Sequence, residues 1–315
     1  MQLKAKRPFR VTLSIAALVL IAAVAAGTHA QSNTTTQPAA VTHPILVFMT
    51  DFGIIDDSIA LCKGVMYGID PDLRVVDLTH DVKPFDILEG ARFLSGTAPY
   101  YPAGTVFVGV VDPTVGSTRK AIVARSGRGQ FFVVPDNGLL TLVADQDGIE
   151  AAREITNPNW MIGAQLSSTF HGRDIFSPVG AHLARGDDWT QVGPALDVAS
   201  LVRLKIARPS SDARGLSASV IGIDGPFGNL VTNVTKGDFS ALDYALGAKV
   251  PIAIDGKNYE FPFVKTFSDV PTGSPLLYID SRGRLALAVN QGNFAQRFAV
   301  HVPSSLFIQK KTTGQ

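Results

Sequence analysis

Ile45-Leu46-Val47-Phe48-Met49 is an unbroken apolar run that ends in Thr50-Asp51. Successive residues of a strand face opposite ways, so a strand apolar throughout has no solvent side and belongs in a sheet covered on both faces. Thr105-Val106-Phe107-Val108-Gly109-Val110-Val111 repeats the pattern and ends in Asp112. Between these runs the periodicity predicts a helix from about 56 to 66, with Ile59, Cys62 and Met66 on one side. A strand over 73–78 and a helix over 87–94 follow. Further on, short strands fit 121–124 and 131–134, and a helix fits 178–184. Alternation of this kind implies an α/β domain with a mostly parallel sheet and helices on both faces.

After about residue 207 the pattern changes. The apolar runs 218–223, 230–233, 250–254, 276–279 and 285–289 are short and separated by Gly, Asp, Asn and Pro, with no long amphipathic helix between them. They predict a small carboxyl-terminal β-barrel or sandwich. With 315 residues, 46% of them hydrophobic, the chain has enough core for two domains. The expected organisation is an α/β domain over 44–207, a linker over 208–212, a β-barrel domain over 213–308 and a tail over 309–315.

The first 43 residues read differently. Lys4, Lys6, Arg7 and Arg10 form a positive start without an acid, an apolar stretch covers 11–26, and Thr28-His29-Ala30 precedes Gln31. This is the layout of a secretory signal, expected over 1–30, followed by a flexible leader over 31–43. A periplasmic or secreted mature protein is expected. The alternative is an uncleaved membrane anchor, for which the apolar stretch is short. Without the signal the chain carries 24 basic and 27 acidic residues, a net charge near −3. No basic patch stands out, so no nucleic-acid partner is expected. Cys62 is the single cysteine, which excludes an internal disulfide and a cysteine-based zinc site, and it reads as an inert core residue.

Ligands of open parallel sheets bind beyond the carboxyl ends of the strands. That places Asp51 and Asp112 at the candidate site, although either could equally form a turn or cap a helix. Arg119 follows Asp112 across a Gly-Ser-Thr turn and can pair with it, as many surface arginines do without functional consequence. His171 lies in Ser168-Thr169-Phe170-His171-Gly172-Arg173-Asp174. His80, His182 and His301 have no clustered polar neighbours in sequence and read as structural or solvated. No nucleophile elbow, Walker loop or zinc helix is present. Spacing alone therefore gives a ligand-binding α/β enzyme.

Five strings go further. They are Thr50-Asp51-Phe52-Gly53; Val110-Val111-Asp112-Pro113 with Gly116 and Arg119; Val134-Pro135-Asp136-Asn137-Gly138; Ser168 to Asp174; and Asp224-Gly225-Pro226-Phe227-Gly228-Asn229. In this order they resemble the S-adenosyl-L-methionine hydroxide adenosyltransferases, kin to the fluorinating and chlorinating enzymes, over about residues 45–302. The resemblance implies an α/β domain joined to a small β-barrel. It also implies a homotrimer whose site lies between the amino-terminal domain of one subunit and the carboxyl-terminal domain of its neighbour.

It further implies hydrolysis of S-adenosyl-L-methionine to adenosine and methionine, with no cofactor and no metal. A water-handling triad falls on Asp112, Arg119 and His171. Substrate contacts fall on Asp51 for the ribose hydroxyls, and on Phe227, Phe267 and Asn229 for adenine. Asp56, Ser58, Asp224, Ser281 and Arg282 fall around the methionine amine and carboxylate, and Phe85 and Phe170 complete the set. The halogenating branch has Tyr in place of this Asp112, Phe-Tyr-Ser in place of Phe170-His171-Gly172, Trp where Phe85 stands, and often Arg where Val289 stands. The chain thus resembles the hydrolytic branch. A halide adenosyltransferase and an exported, non-catalytic protein that binds adenosine or S-adenosyl-L-methionine are the alternatives.

Overall fold

The computed structural model describes residues 44–163 and 165–311. The expected signal and leader, and residues 312–315 of the expected tail, lie outside them. The first domain runs β1 (Ile45–Thr50), α1 (Ser58–Ile69), β2 (Arg74–Thr79), α2 (Ile87–Thr97), β3 (Val106–Val110), β4 (Ala121–Ser126), β5 (Phe131–Pro135), α3 (Thr141–Asp147), β6 (Ile149–Glu154), α4 (Ser177–Arg185) and β7 (Ala195–Leu196).

The strand order is β2-β1-β3-β5-β4-β6-β7. Strands β2, β1, β3 and β5 are parallel, and β4, β6 and β7 extend the sheet in antiparallel fashion. The sheet is therefore mixed, and its parallel half contains the two apolar runs that end in aspartate. The antiparallel half starts because β4 and β5 are joined by a tight turn rather than a crossover. Alternation along β1 divides the core. Leu46 and Phe48 pack with Cys62, Met66 and Val179 of α1 and α4, whereas Val47 and Met49 pack with Ala91 and Leu94 of α2. Burial pushes the Cys62 thiol up to about 11, in keeping with an inert core cysteine.

The second domain is an antiparallel sheet. Ser210–Ser211, inside the expected linker, form β8 against β9. Then come β9 (Gly215–Asp224), β10 (Asn229–Thr235), α5 (Lys236–Ser240), β11 (Lys249–Ile254), β12 (Lys257–Pro262), β13 (Pro275–Ile279), β14 (Arg284–Val289), α6 (Phe294–Phe298) and β15 (Ser304–Gln309). The order is β12-β11-β15-β9-β10-β14-β13, and a lone bridge between Phe263 and Leu277 brings the two edges together into a nearly closed barrel. Val250, Ile252 and Ile254, alternate residues of β11, point into a core shared with Leu230, Leu287 and Phe294.

Candidate active site

Thr50 pairs with Val110 across β1 and β3, so Asp51 and Asp112 leave the parallel half of the sheet side by side. The turn after β1 is held from below. Buried Thr50 receives the Phe52 N–H at 3.2 Å on its hydroxyl, which also lies 3.0 Å from His80 Nδ1. The Gly53 N–H donates to the His80 carbonyl at 2.8 Å. His80 is thus not the unclustered histidine that its sequence neighbours suggested. It is buried, with Nε2 3.1 Å from Asp77 Oδ1, and Asp77 is ion-paired to Lys63. His182 likewise has polar company, with Nδ1 2.6 Å from Asp187. Asp77 and Asp187 lie only three and five residues from these histidines, whereas the Thr50 contact of His80 spans 30 residues and is not visible in the local sequence.

Asp51 is half-buried, and its Oδ2 accepts the Phe85 N–H at 2.9 Å. Burial raises its pKa, against the lowering effect of that hydrogen bond. Phe85 has φ of +69°, a strained value for a residue with a side chain, and the residue is 71% exposed. The loop therefore presents the ring beside the Asp51 carboxylate instead of burying it.

Asp112, Arg119 and His171 converge. Arg119 Nε donates to Asp112 Oδ2 at 2.7 Å, and its Nη2 bonds the same oxygen and also reaches His171 Nδ1 at 2.8 Å. The Arg119 and Asp112 side chains are only 8% and 4% exposed, and the guanidinium lies over the Phe176 ring. Thr114 Oγ1 donates to the other Asp112 oxygen at 3.2 Å. Behind the strand, Asn137 Nδ2 holds the Val111 carbonyl at 2.8 Å. His171 opens a π-helical turn, Gly172–Phe176, that runs into α4. Such turns recur at functional sites because they re-aim one side chain. Asp174, 1% exposed, anchors the turn by accepting the Ser167 N–H and Arg173 Nε, both at 2.6 Å.

The hydrogen-bond pattern assigns a tautomer. A guanidinium can only donate, so His171 Nδ1 must accept, and the neutral ring carries its proton on Nε2. Burial and the Arg119 charge both lower the His171 pKa, favouring this neutral form. His171 therefore offers a donor, and Asp112 an acceptor, among the groups that line the cleft.

Asp51, Ser58, Phe85, Asp112, Phe170 and His171 line one cleft of about 440 Å³. Its floor is tight. A Cβ on Gly172 would come within 2.8 Å of the Phe52 ring, which packs edge-on against Phe170. Asp56 is exposed and does not line the cleft, and its Oδ1 accepts the Ser58 N–H at the start of α1.

The remaining predicted contacts lie on the barrel and do not line that cleft. Phe227, Asn229 and Phe267 line a second opening of about 600 Å³, together with Val289. Asp224, Ser281 and Arg282 line a third, of about 900 Å³, between the barrel and residues 78–93 of the first domain. Phe227 is 66% exposed at the tip of the β9–β10 hairpin. Among the described residues no group of three or more His, Cys, Asp or Glu side chains is arranged to hold a metal ion.

Comparisons with known proteins cover both domains. A family model described as the SAM hydroxide adenosyltransferase N-terminal domain matches residues 46–193, and one described as the C-terminal domain matches 218–306. A protein named (R)-S-adenosyl-L-methionine hydrolase from Salinispora arenicola is 42% identical over 258 residues, 82% of this chain and 94% of the relative. A fluorinase from Actinoplanes sp. is 34% identical over 293 residues, 85% of this chain and 98% of its own. The crystal structure of an uncharacterized conserved protein from Thermotoga maritima matches with a TM-score of 0.80 and 36% identity, covering 84% of this chain and all of that one.

Proposed function

The chain belongs to the S-adenosyl-L-methionine hydroxide adenosyltransferase family, and from that premise we propose that it cleaves S-adenosyl-L-methionine with water to adenosine and L-methionine. The observation that carries this reading is the Asp112–Arg119–His171 array beside Asp51 in one cleft. The sulfonium leaves as a neutral thioether, so no general acid is required. A bond forms from the water oxygen to the ribose C5′ carbon, the carbon–sulfur pair goes to sulfur, and the water proton goes to Asp112 and then to solvent. Asp112 accepts from the water and His171 donates to it, which fixes its lone pair in line. Such positioning contributes roughly 7–11 kcal/mol. Asp51 accepts from the ribose hydroxyls. Asp112 and Gly172 stand where halogenases carry Tyr and Ser, which favours water over halide.

The test is product identity. The purified chain is incubated with each sulfonium epimer, since the hydrolase relatives' names specify the (R) form, with and without chloride or fluoride. Adenosine is expected under every salt condition. A 5′-halogenated nucleoside would make the chain a halide transferase, and tight binding without turnover would make it a binding protein.

We include in this proposal a homotrimer and export. Two features favour assembly: the predicted substrate contacts line separate clefts within one chain, and large apolar side chains stand free around them. Ile55 is fully exposed, and α1 turns Ala60, Leu61, Gly64 and Tyr67 outward. A neighbour that brings Phe227 and Asn229 over the Asp51 cleft would cover both surfaces; the number three comes from the family resemblance. Exported protein analysed by amino-terminal sequencing and light scattering is expected to begin near Gln31 and to contain three copies. A fully active monomer, or full-length chain recovered only from membranes, would contradict these points.

A further inference from the structure

Helix α2 carries Arg92 into the barrel. Arg92 is 5% exposed, yet it is a charged side chain taken out of water, which demands a partner. Its Nη2 donates to Asp224 Oδ1 at 3.1 Å, and Nη1 is buried without a partner. The guanidinium lies so close to β9 that a Cβ on Gly222 would sit 1.9 Å from Nη1. Only one Asp224 oxygen is used, and the carboxylate remains 43% exposed towards the cleft that it lines with Ser281 and Arg282. One turn further along α2, Arg282 lies across Gly96, where a Cβ would come within 2.8 Å of its Nε and Cζ. One helix of the α/β domain thus holds two opposite charges of the barrel, a carboxylate from behind and a guanidinium from the side.

We propose that α2 is the positioning element for the amino-acid end of the substrate, with Arg92 aiming Asp224 at the ammonium group and Gly96 leaving the berth from which Arg282 meets the carboxylate. The proposal rests on the hydrolase reading above and adds to it two residues that no motif singles out. It also explains why a glycine stands near the end of α2, where alanine would serve the helix better.

The test uses the full chain and two variants, Arg92→Met and Gly96→Ala, with KM and kcat for S-adenosyl-L-methionine, the Kd for adenosine and the thermal midpoint. Adenosine lacks the amino-acid end and serves as the control probe. KM is expected to rise about tenfold or more in Arg92→Met and severalfold in Gly96→Ala, with kcat falling less, because lost uniform binding appears in KM. Adenosine affinity is expected to stay near that of the parent. Gly96→Ala should melt at or above the parent temperature, since alanine favours the helix. A purely structural role predicts the opposite pairing, a lower midpoint with adenosine and substrate binding weakened together. An unchanged KM in Gly96→Ala, or adenosine affinity falling in step with KM, overturns the proposal. A parent chain that forms no adenosine overturns the hydrolase reading beneath it, a result distinct from a working parent whose variants match it.

Discussion

Asp112→Asn is expected to lower kcat by about 10²–10⁴-fold, the usual contribution of a positioned acid–base group, with little change in adenosine affinity. Asparagine is the informative substitution because its carbonyl can still accept from Arg119. Alanine would also take away that acceptor from a guanidinium only 8% exposed, and stripping a buried charge of its partner costs about 3–5 kcal/mol in stability. The same array predicts a pH dependence. Protonation of His171 places a hydrogen on Nδ1, facing the Arg119 guanidinium, and breaks the 2.8 Å contact. The group's pKa lies below its ordinary 6.5, so activity is complete above that pH and is lost as pH falls through the lower value. The acid limb of kcat/KM should therefore lie below pH 6.5. Near-normal kcat in Asp112→Asn would move the water site elsewhere, with Asp51 the next group to test.

Gly172→Ser is expected to lower kcat/KM by about 100-fold, the scale associated with an ångström of misplacement at a reacting centre. The serine Cβ would stand 2.8 Å from the Phe52 ring, so the ring must swing away or His171, the adjacent residue, must move. The substitution alone is not expected to confer halide use, because Phe52 already occupies the floor that a serine hydroxyl would need. Phe52→Leu in the Gly172→Ser background should recover part of the loss. The two changes, being in contact, should be non-additive in a double-mutant cycle. Additive losses would show that the ring and the glycine act separately.

The parts of the fold that could be read in the sequence were those with a single clear demand. Strands β1 and β3 are apolar on both faces, and no other environment suits them. Strands β6 (Ile149–Glu154) and β12 (Lys257–Pro262) passed unread because their sequences, Ile-Glu-Ala-Ala-Arg-Glu and Lys-Asn-Tyr-Glu-Phe-Pro, are half charged or amide, contain no continuous apolar run and take their strand character from neighbours. The aspartates were placed by the sheet rule, whereas the Asp112–Arg119–His171 grouping needed the family resemblance, since His171 lies 52 residues from Arg119. Its tautomer was beyond any sequence reading, because it depends on which guanidinium nitrogen reaches which ring nitrogen. The Arg92–Asp224 pair spans 132 residues and two domains, and nothing local to either residue announces it.

The register of β1 against β3 sets a gauge. Thr50 and Val110 are locked opposite each other by backbone hydrogen bonds, and adjacent strands lie about 4.8 Å apart whatever their side chains. The origins of Asp51 and Asp112, the carboxylates proposed to grip the sugar and to manage the nucleophile, are thus fixed by main-chain geometry. Substitutions at the loop tips can change which nucleophile is admitted, or how the base is packed, without altering that interval. A scaffold of this kind lets its chemistry diverge while the in-line path between sugar and attacking atom keeps its length.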